Sequence, residues 1–218
     1  GGYGAFAMGP KMPDRFAAIH ASAAALADGA VADTLRNTVF TCMVGEKDTA
    51  YGRIERDKEF KENIQRLRGA RTDIFPVTVQ IIPDHPHSGL PDRDSISDMY
   101  PAVRNPVPRE LTWVMTDQVI RDFFWLRVPA PVSGEKFDVT CRDNVVTVTA
   151  TPKVSSASLM VDQRLIDFAK PVKLILNGKT TTRKLKPTLR TLGESLQRRG
   201  DPDLAFTAEI ALPLTRTN

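Results

Sequence analysis

Cysteine is almost missing: Cys42 and Cys141 are the only two in 218 residues. One pairing is not a disulfide framework, so the fold has to hold without cross-links. Cys42 lies in the apolar run Val39-Phe40-Thr41-Cys42-Met43-Val44, and Cys141 ends the alternating stretch Phe137-Asp138-Val139-Thr140. Both are expected to pack rather than react. No Cys/His spacing suits zinc, so no metal site is expected. No apolar run approaches the ~18 residues that a membrane span needs. No signal peptide is legible. The chain opens on Gly1-Gly2-Tyr3-Gly4 with no initiator Met, so the true N-terminus and any targeting segment are expected to lie outside it, and the compartment stays open. Internal repeats and low-complexity segments are also missing.

What is there is ordinary for a globular protein: 41% hydrophobic and 26% charged residues, with sixteen prolines and thirteen glycines too scattered for a disordered or fibrous chain. The length allows one large domain or two modest ones. A net charge of +4 raises the question of nucleic acid. The basic residues gather late, at Arg183, Lys184, Lys186, Arg190, Arg198 and Arg199. No aromatic side chain stands among them to stack on bases, and no recognition motif accompanies them. They are expected to form a solvated basic face, with no nucleic-acid partner.

Along the first hundred residues, helix and strand signals alternate. Gly1 to Met8 suits a helix stopped by Gly9-Pro10. Pro13-Asp14-Arg15 turns the chain into a short strand, Phe16 to Ile19. Residues 23–37 are a small-residue connection with a helical turn or two. Thr38 to Val44 is a continuous apolar run, expected as a strand buried on both faces. Tyr51 to Arg68 carries Ile54, Phe60, Ile64 and Leu67 at helical spacing on a charged background, an amphipathic surface helix. Val77 to Ile82 is the next buried strand, and a short helix is expected over Ser95 to Val103. Such alternation argues for a parallel sheet with helices on both faces.

The character changes near residue 105. Asn105-Pro106-Val107-Pro108 resists both helix and central strand and reads as a linker. Short β-forming runs follow: Leu111 to Met115, Phe123 to Val128, Phe137 to Cys141, Val145 to Ala150, Ser158 to Val161 and Val172 to Leu176. Arg142-Asp143-Asn144 and Asn177-Gly178 suit hairpin turns. A helix over Thr188 to Arg199 ends at Gly200, and a last strand spans Leu204 to Leu212. The expected organisation is therefore an α/β domain over 1–104 and a mainly antiparallel β domain with one helix over 105–218. Alternation cannot place Phe123, Phe124, Trp125 and Leu126 on one face of a strand, so one side of that run is expected to pack on something else, such as the first domain. Packing between the two domains is expected on that ground. Trp113, Phe123, Phe124 and Trp125 are otherwise candidate contacts for a bound partner, although strand aromatics are more often core.

Three pieces of the first domain carry chemistry. Gly1-Gly2-Tyr3-Gly4-Ala5 begins a helix with small residues, which suits either a strand-to-helix nucleophile elbow or simple close packing. No G-x-S-x-G occurs in the chain; the serine of such an elbow would lie two positions before Gly1. Second, Val44-Gly45-Glu46-Lys47-Asp48 follows a buried strand, where the groups of open α/β sheets gather. Asp48 is either the cap of the next helix or an acid that orients a base. Glu46 is a rival acid nearer the strand. Third, Pro83-Asp84-His85-Pro86-His87-Ser88-Gly89 follows the next strand. His85, before a proline, is held near the strand end. His87 lies farther out where a loop can turn into a site, and it is favoured as base. His20, ending the first strand candidate, is expected to be structural or at a pocket edge.

The order of a missing Ser, then Asp48, then His87, each after successive strands, is that of an α/β-hydrolase triad. Gly1-Gly2-Tyr3-Gly4-Ala5-Phe6 with Pro13-Asp14-Arg15-Phe16-Ala17-Ala18 resembles the post-nucleophile segment of the esterase, dienelactone hydrolase and prolyl-oligopeptidase-like branch of that superfamily. The Gly45-to-Asp48 loop is similar to its acid loop and Pro86-His87 to its histidine loop. These matches span residues 1–104. Phe123-Phe124-Trp125-Leu126 and Arg199-Gly200-Asp201-Pro202 resemble a C-terminal extension of some bacterial members, to which no function attaches. The resemblance implies the C-terminal half of a hydrolase sheet, a catalytic Asp48 and His87, a serine and oxyanion donors upstream of Gly1, and no cofactor. The substrate implied is a small ester or a peptide-like molecule. It also implies that residues 1–218 alone are inactive; separately, the connection of about fifteen residues between His20 and Thr38 is of ordinary α/β length and leaves no room for a lid, so an open site is expected. A prolyl-oligopeptidase-like peptidase and a non-catalytic binding or structural module are the alternatives.

Overall fold

The computed structural model describes residues 1–151 and 153–214. The chain divides into two compact units, Gly1–Asn105 and Pro106–Asn218. The whole is mixed α/β, with a parallel three-stranded sheet in the first unit and largely antiparallel sheets in the second.

In the first unit the strands β1 (Ala18–Ser22), β2 (Val39–Gly45) and β3 (Val77–Ile82) lie in that order, all parallel. Their neighbours in chain order are α1 (Gly2–Lys11), α2 (Arg53–Arg68) and α3 (Ser95–Met99). β2 is central and buried from Phe40 to Gly45, which is why its sequence is continuously apolar. β3 departs from expectation: only Val77 is buried, because β3 is an edge of this sheet. β1 starts two residues later than the sequence suggested, since a 3-10 helix at Pro13–Arg15 takes up the approach.

α1 also runs past Gly9-Pro10, which was expected to stop it. A proline in the last turn removes a single helical hydrogen bond, and Met12 N–H still reaches Met8 O at 3.0 Å. Gly9 serves packing instead: a Cβ there would sit 3.0 Å from Ile19 Cδ1. Phe6, Phe40 and Phe60 meet edge-on or tilted with ring centroids 5.1–5.9 Å apart, joining α1, β2 and α2 in one core. Ala24, Ala32 and Leu35 of the 23–37 connection are buried in that same core.

α2 begins at Arg53 rather than Tyr51, because Tyr51 (φ 57°) and Gly52 (φ 62°) are left-handed. Ile54, Phe60 and Ile64 face the sheet as the spacing predicted. α3 is shorter than predicted: Pro101, which has no N–H to extend a helix, follows its end.

The second unit carries two sheets. One, ordered β11-β10-β8-β7-β4, is built from β4 (Glu110–Val114), β7 (Lys136–Arg142), β8 (Val145–Ala150), β10 (Val172–Leu176) and β11 (Lys179–Arg183). The other, ordered β12-β9-β6-β5, uses β5 (Asp122–Phe123), β6 (Leu126–Arg127), β9 (Ala157–Val161) and β12 (Ala208–Leu212). A single apolar cluster draws on both. The pairing is antiparallel except β10 on β8, which is parallel. One α-helix, α4 (Leu189–Arg199), is joined by a 3-10 helix at Pro202–Leu204, so the expected single helix was an undercount.

The run from Phe123 to Val128 is not one strand. It folds back on itself at Phe124 (φ 52°), pairing Phe123 with Leu126. The turn frees the four side chains from strand alternation, and Phe123, Phe124, Trp125 and Leu126 all join this unit's own core. Trp125 Nε1–H donates to Pro108 O at 2.8 Å. The basic cluster also divides: Arg183, Lys184, Lys186 and Arg190 are exposed, whereas Arg198 pairs with Asp122 at 3.1 Å and Arg199 is buried.

Candidate functional site

Two neighbouring parallel strands end side by side, with Gly45 opposite Ile82. The loops that leave them are laced together by the backbone. Glu46 N–H donates to Ile82 O (2.9 Å) and Lys47 N–H to His85 O (2.8 Å), while Asp48 N–H closes a turn within its own loop on Gly45 O (2.9 Å). Such close approach requires a glycine: a Cβ on Gly45 would lie 2.3 Å from both His85 O and Pro86 O. Gly45→Ala is therefore expected to push the His85-Pro86 segment away and destabilise the protein by ~1–3 kcal/mol. Thermal unfolding and the low-field imidazole N–H resonance of His87 in proton NMR read the two effects. An unchanged melting temperature with the resonance retained would contradict the close approach.

This lacing brings Asp48 and His87 together. His87 Nδ1 lies 2.8 Å from Asp48 Oδ2. The Asp48 side chain is 2% exposed and that of His87 is 58% exposed, so the acid is internal and the imidazole is presented outward. A carboxylate can only accept, so Nδ1 carries the proton and Nε2 is left as the basic nitrogen. The other carboxylate oxygen, Oδ1, accepts from Arg53 at 2.5 Å.

Arg53 was not singled out by the sequence. Its guanidinium is buried, with Tyr51 and Tyr3 ring centroids at 5.0 and 5.7 Å. Burial works against the ionised form of Asp48, but the hydrogen bonds from His87 and Arg53, with the Arg53 charge, prevail and hold its pKa below the usual value. Asp48 accordingly contributes stability above the ordinary carboxyl pKa, and that contribution is lost as pH falls through its lowered folded value.

The rival residues lie elsewhere. Glu46 Oε2 accepts the Asp84 N–H at 3.0 Å, so it bridges the loops rather than holding a histidine. His85 Nδ1 is 3.0 Å from Pro83 O. His20 sits on β1 with Nδ1 2.8 Å from Thr41 Oγ1 and Nε2 3.5 Å from Asp92 Oδ1, tying the segment after the His87 loop back to the sheet.

Asp57, one turn beyond Arg53 on α2, was also missed. It has no exposure, and neither of its oxygens finds a hydrogen-bond partner. Burial pushes its pKa up to about 7; Arg56 opposes this and Asp48 adds to it. Burial likewise raises the Cys42 thiol, with a contribution from Asp57. A signal for both residues existed: positions 53 and 57 share the helix face of Ile54, Phe60 and Ile64. Two charges on an apolar face call for a partner.

The start of α1 reaches the same neighbourhood. Gly2 lies so close to the end of β1 that a Cβ would meet Ser22 O at 2.1 Å. Tyr3, in the first turn, has its ring 5.7 Å from the Arg53 guanidinium, which in turn holds Asp48. Among the described residues no cluster of His, Cys, Asp and Glu is gathered for a metal ion, and no helix is long and apolar enough to cross a membrane. Compared with known proteins, the chain matches no family model, no curated protein and no solved structure.

Proposed function

We propose that this chain supplies the acid and base of a serine hydrolase acting on carboxylic esters. The observation that carries the reading is the 2.8 Å Asp48–His87 hydrogen bond at the carboxyl ends of adjacent parallel strands, with the acid buried and the imidazole exposed. His87 Nε2 takes the proton of an attacking hydroxyl and returns it to the leaving alcohol; the same cycle with water frees the acyl group. Asp48 keeps the proton on Nδ1 and stabilises the imidazolium as it forms. Arg53 keeps Asp48 ionised and fixed, a role of positioning.

The nucleophile belongs on the turn that enters α1. Two features support this: the glycine-dependent approach of α1 to β1, and the link from Tyr3 through Arg53 to Asp48. The amino end of α1 also favours negative charge, as a tetrahedral oxyanion requires. The test is hydrolysis of p-nitrophenyl acetate by the complete protein and by residues 1–218 alone. Turnover that depends on His87 is expected from the first and none from the second. Turnover by residues 1–218 that needs His87 would refute the placement of the nucleophile.

A further inference from the structure

Tyr51 stands out beside Arg53, the residue that holds Asp48. The Tyr51 backbone is left-handed (φ 57°, ψ 19°), a region that bulky side chains rarely adopt and that glycine or asparagine would occupy more easily. Its side chain is not buried in exchange, since the residue is 79% exposed. A strained, solvated aromatic gains nothing from the hydrophobic effect. Strain of this kind concentrates where a side chain has to be presented. The ring is also located: one face is against the Arg53 guanidinium, 5.0 Å from its centroid, and Arg53 is the group that grips the catalytic acid.

The open face of that ring has a definite chemistry. A cation on one side draws on the π density and disfavours a second cation on the other, so an ammonium group is a poor occupant. A flat, neutral, electron-rich aromatic ring stacks there well, with its own π density directed toward the polarised tyrosine. Resting on the hydrolase reading above, we propose that Tyr51 is a specificity residue of the site, stacking on an aromatic ring in the acyl or alcohol part of the ester. The phenol oxygen has no part in this, so phenylalanine should replace tyrosine.

The experiment compares kcat/KM of the complete protein on matched esters, methyl cinnamate against methyl butanoate and benzyl acetate against butyl acetate. Tyr51→Ala is expected to lower at least one aromatic-to-aliphatic ratio about tenfold, the size of a lost aromatic stack. Tyr51→Phe should keep that ratio within about twofold. Tyr51→Gly should lower it as alanine does while raising the thermal unfolding midpoint, because glycine relieves the left-handed backbone. A ratio unchanged in Tyr51→Ala, with His87-dependent turnover intact, overturns this inference and leaves the hydrolase reading standing. A ratio that Tyr51→Phe lowers as much as Tyr51→Ala does also overturns it. Absence of any His87-dependent turnover removes both together.

Discussion

His87→Ala in the complete protein is expected to lower kcat/KM for a simple ester by ~10³-fold or more. The expectation follows from what the imidazole does in the proposed cycle: it is both the acceptor of the nucleophile's proton and the donor to the leaving group. Nothing nearby can replace it. His85, two residues away, directs Nδ1 at Pro83 O, and His20 is held between Thr41 and Asp92. His85→Ala should therefore stay within a few-fold of the parent. Asp48→Asn should lose ~10³–10⁴-fold, because an amide no longer fixes the Nδ1–H tautomer. That variant should also unfold more easily, since Arg53 would be left buried without its counter-charge. The lowered pKa of Asp48 keeps it ionised through the neutral range, so its protonation does not account for any loss of activity near pH 6. Steady-state kinetics of the three variants on p-nitrophenyl acetate read these effects. If His85→Ala is the one that fails, the base has been misassigned.

Asp57→Asn is expected to make the protein more stable at pH 8, and to remove most of a decline in stability that the parent shows between about pH 4 and 7. The sign follows from proton uptake. With a folded pKa of about 7 against an ordinary carboxyl value near 3.8, the native state holds a proton across this window that the unfolded chain has released. Stability is thus complete below the unfolded value and falls as pH rises through the folded one. At ~1.4 kcal/mol per pKa unit the whole effect approaches about 4 kcal/mol. The physical cause is a carboxyl with no exposure and no hydrogen-bond partner, whose ionised form is further disfavoured by the Asp48 charge and only partly favoured by Arg56. Urea unfolding from pH 4 to 8 checks it. Parallel curves for parent and variant would show that Asp57 ionises normally.

Much of the scaffold of the site was legible because it rests on local patterns. The apolar run of β2 announced a central strand, and the spacing of Ile54, Phe60 and Ile64 announced the face of α2. Asp48 and His87 were singled out from their places on loops after successive strands, and parallel pairing of those strands brings the two side chains within 2.8 Å. Other features depended on contacts that no pattern encodes. Gly9 and Pro10 read as a stop, yet Gly9 is where α1 meets Ile19 and Phe40. Strand β11 was invisible because all five of its residues are exposed, leaving no alternation to detect; only the Asn177-Gly178 turn before it was legible. The aromatic run at Phe123 looked like one strand because a positive φ at a phenylalanine is not something sequence suggests. Arg53 and Asp57 were passed over as part of a charged helix, although their helical positions point inward.

The central claim is that His87, held by Asp48, activates a serine on the turn into α1. Labelling the complete protein with a phosphonofluoridate probe tests it directly. The account predicts one covalent adduct, on a serine of the turn that enters α1, formed rapidly in the parent and lost in His87→Ala. No adduct, or an adduct that forms equally well without His87, would contradict it.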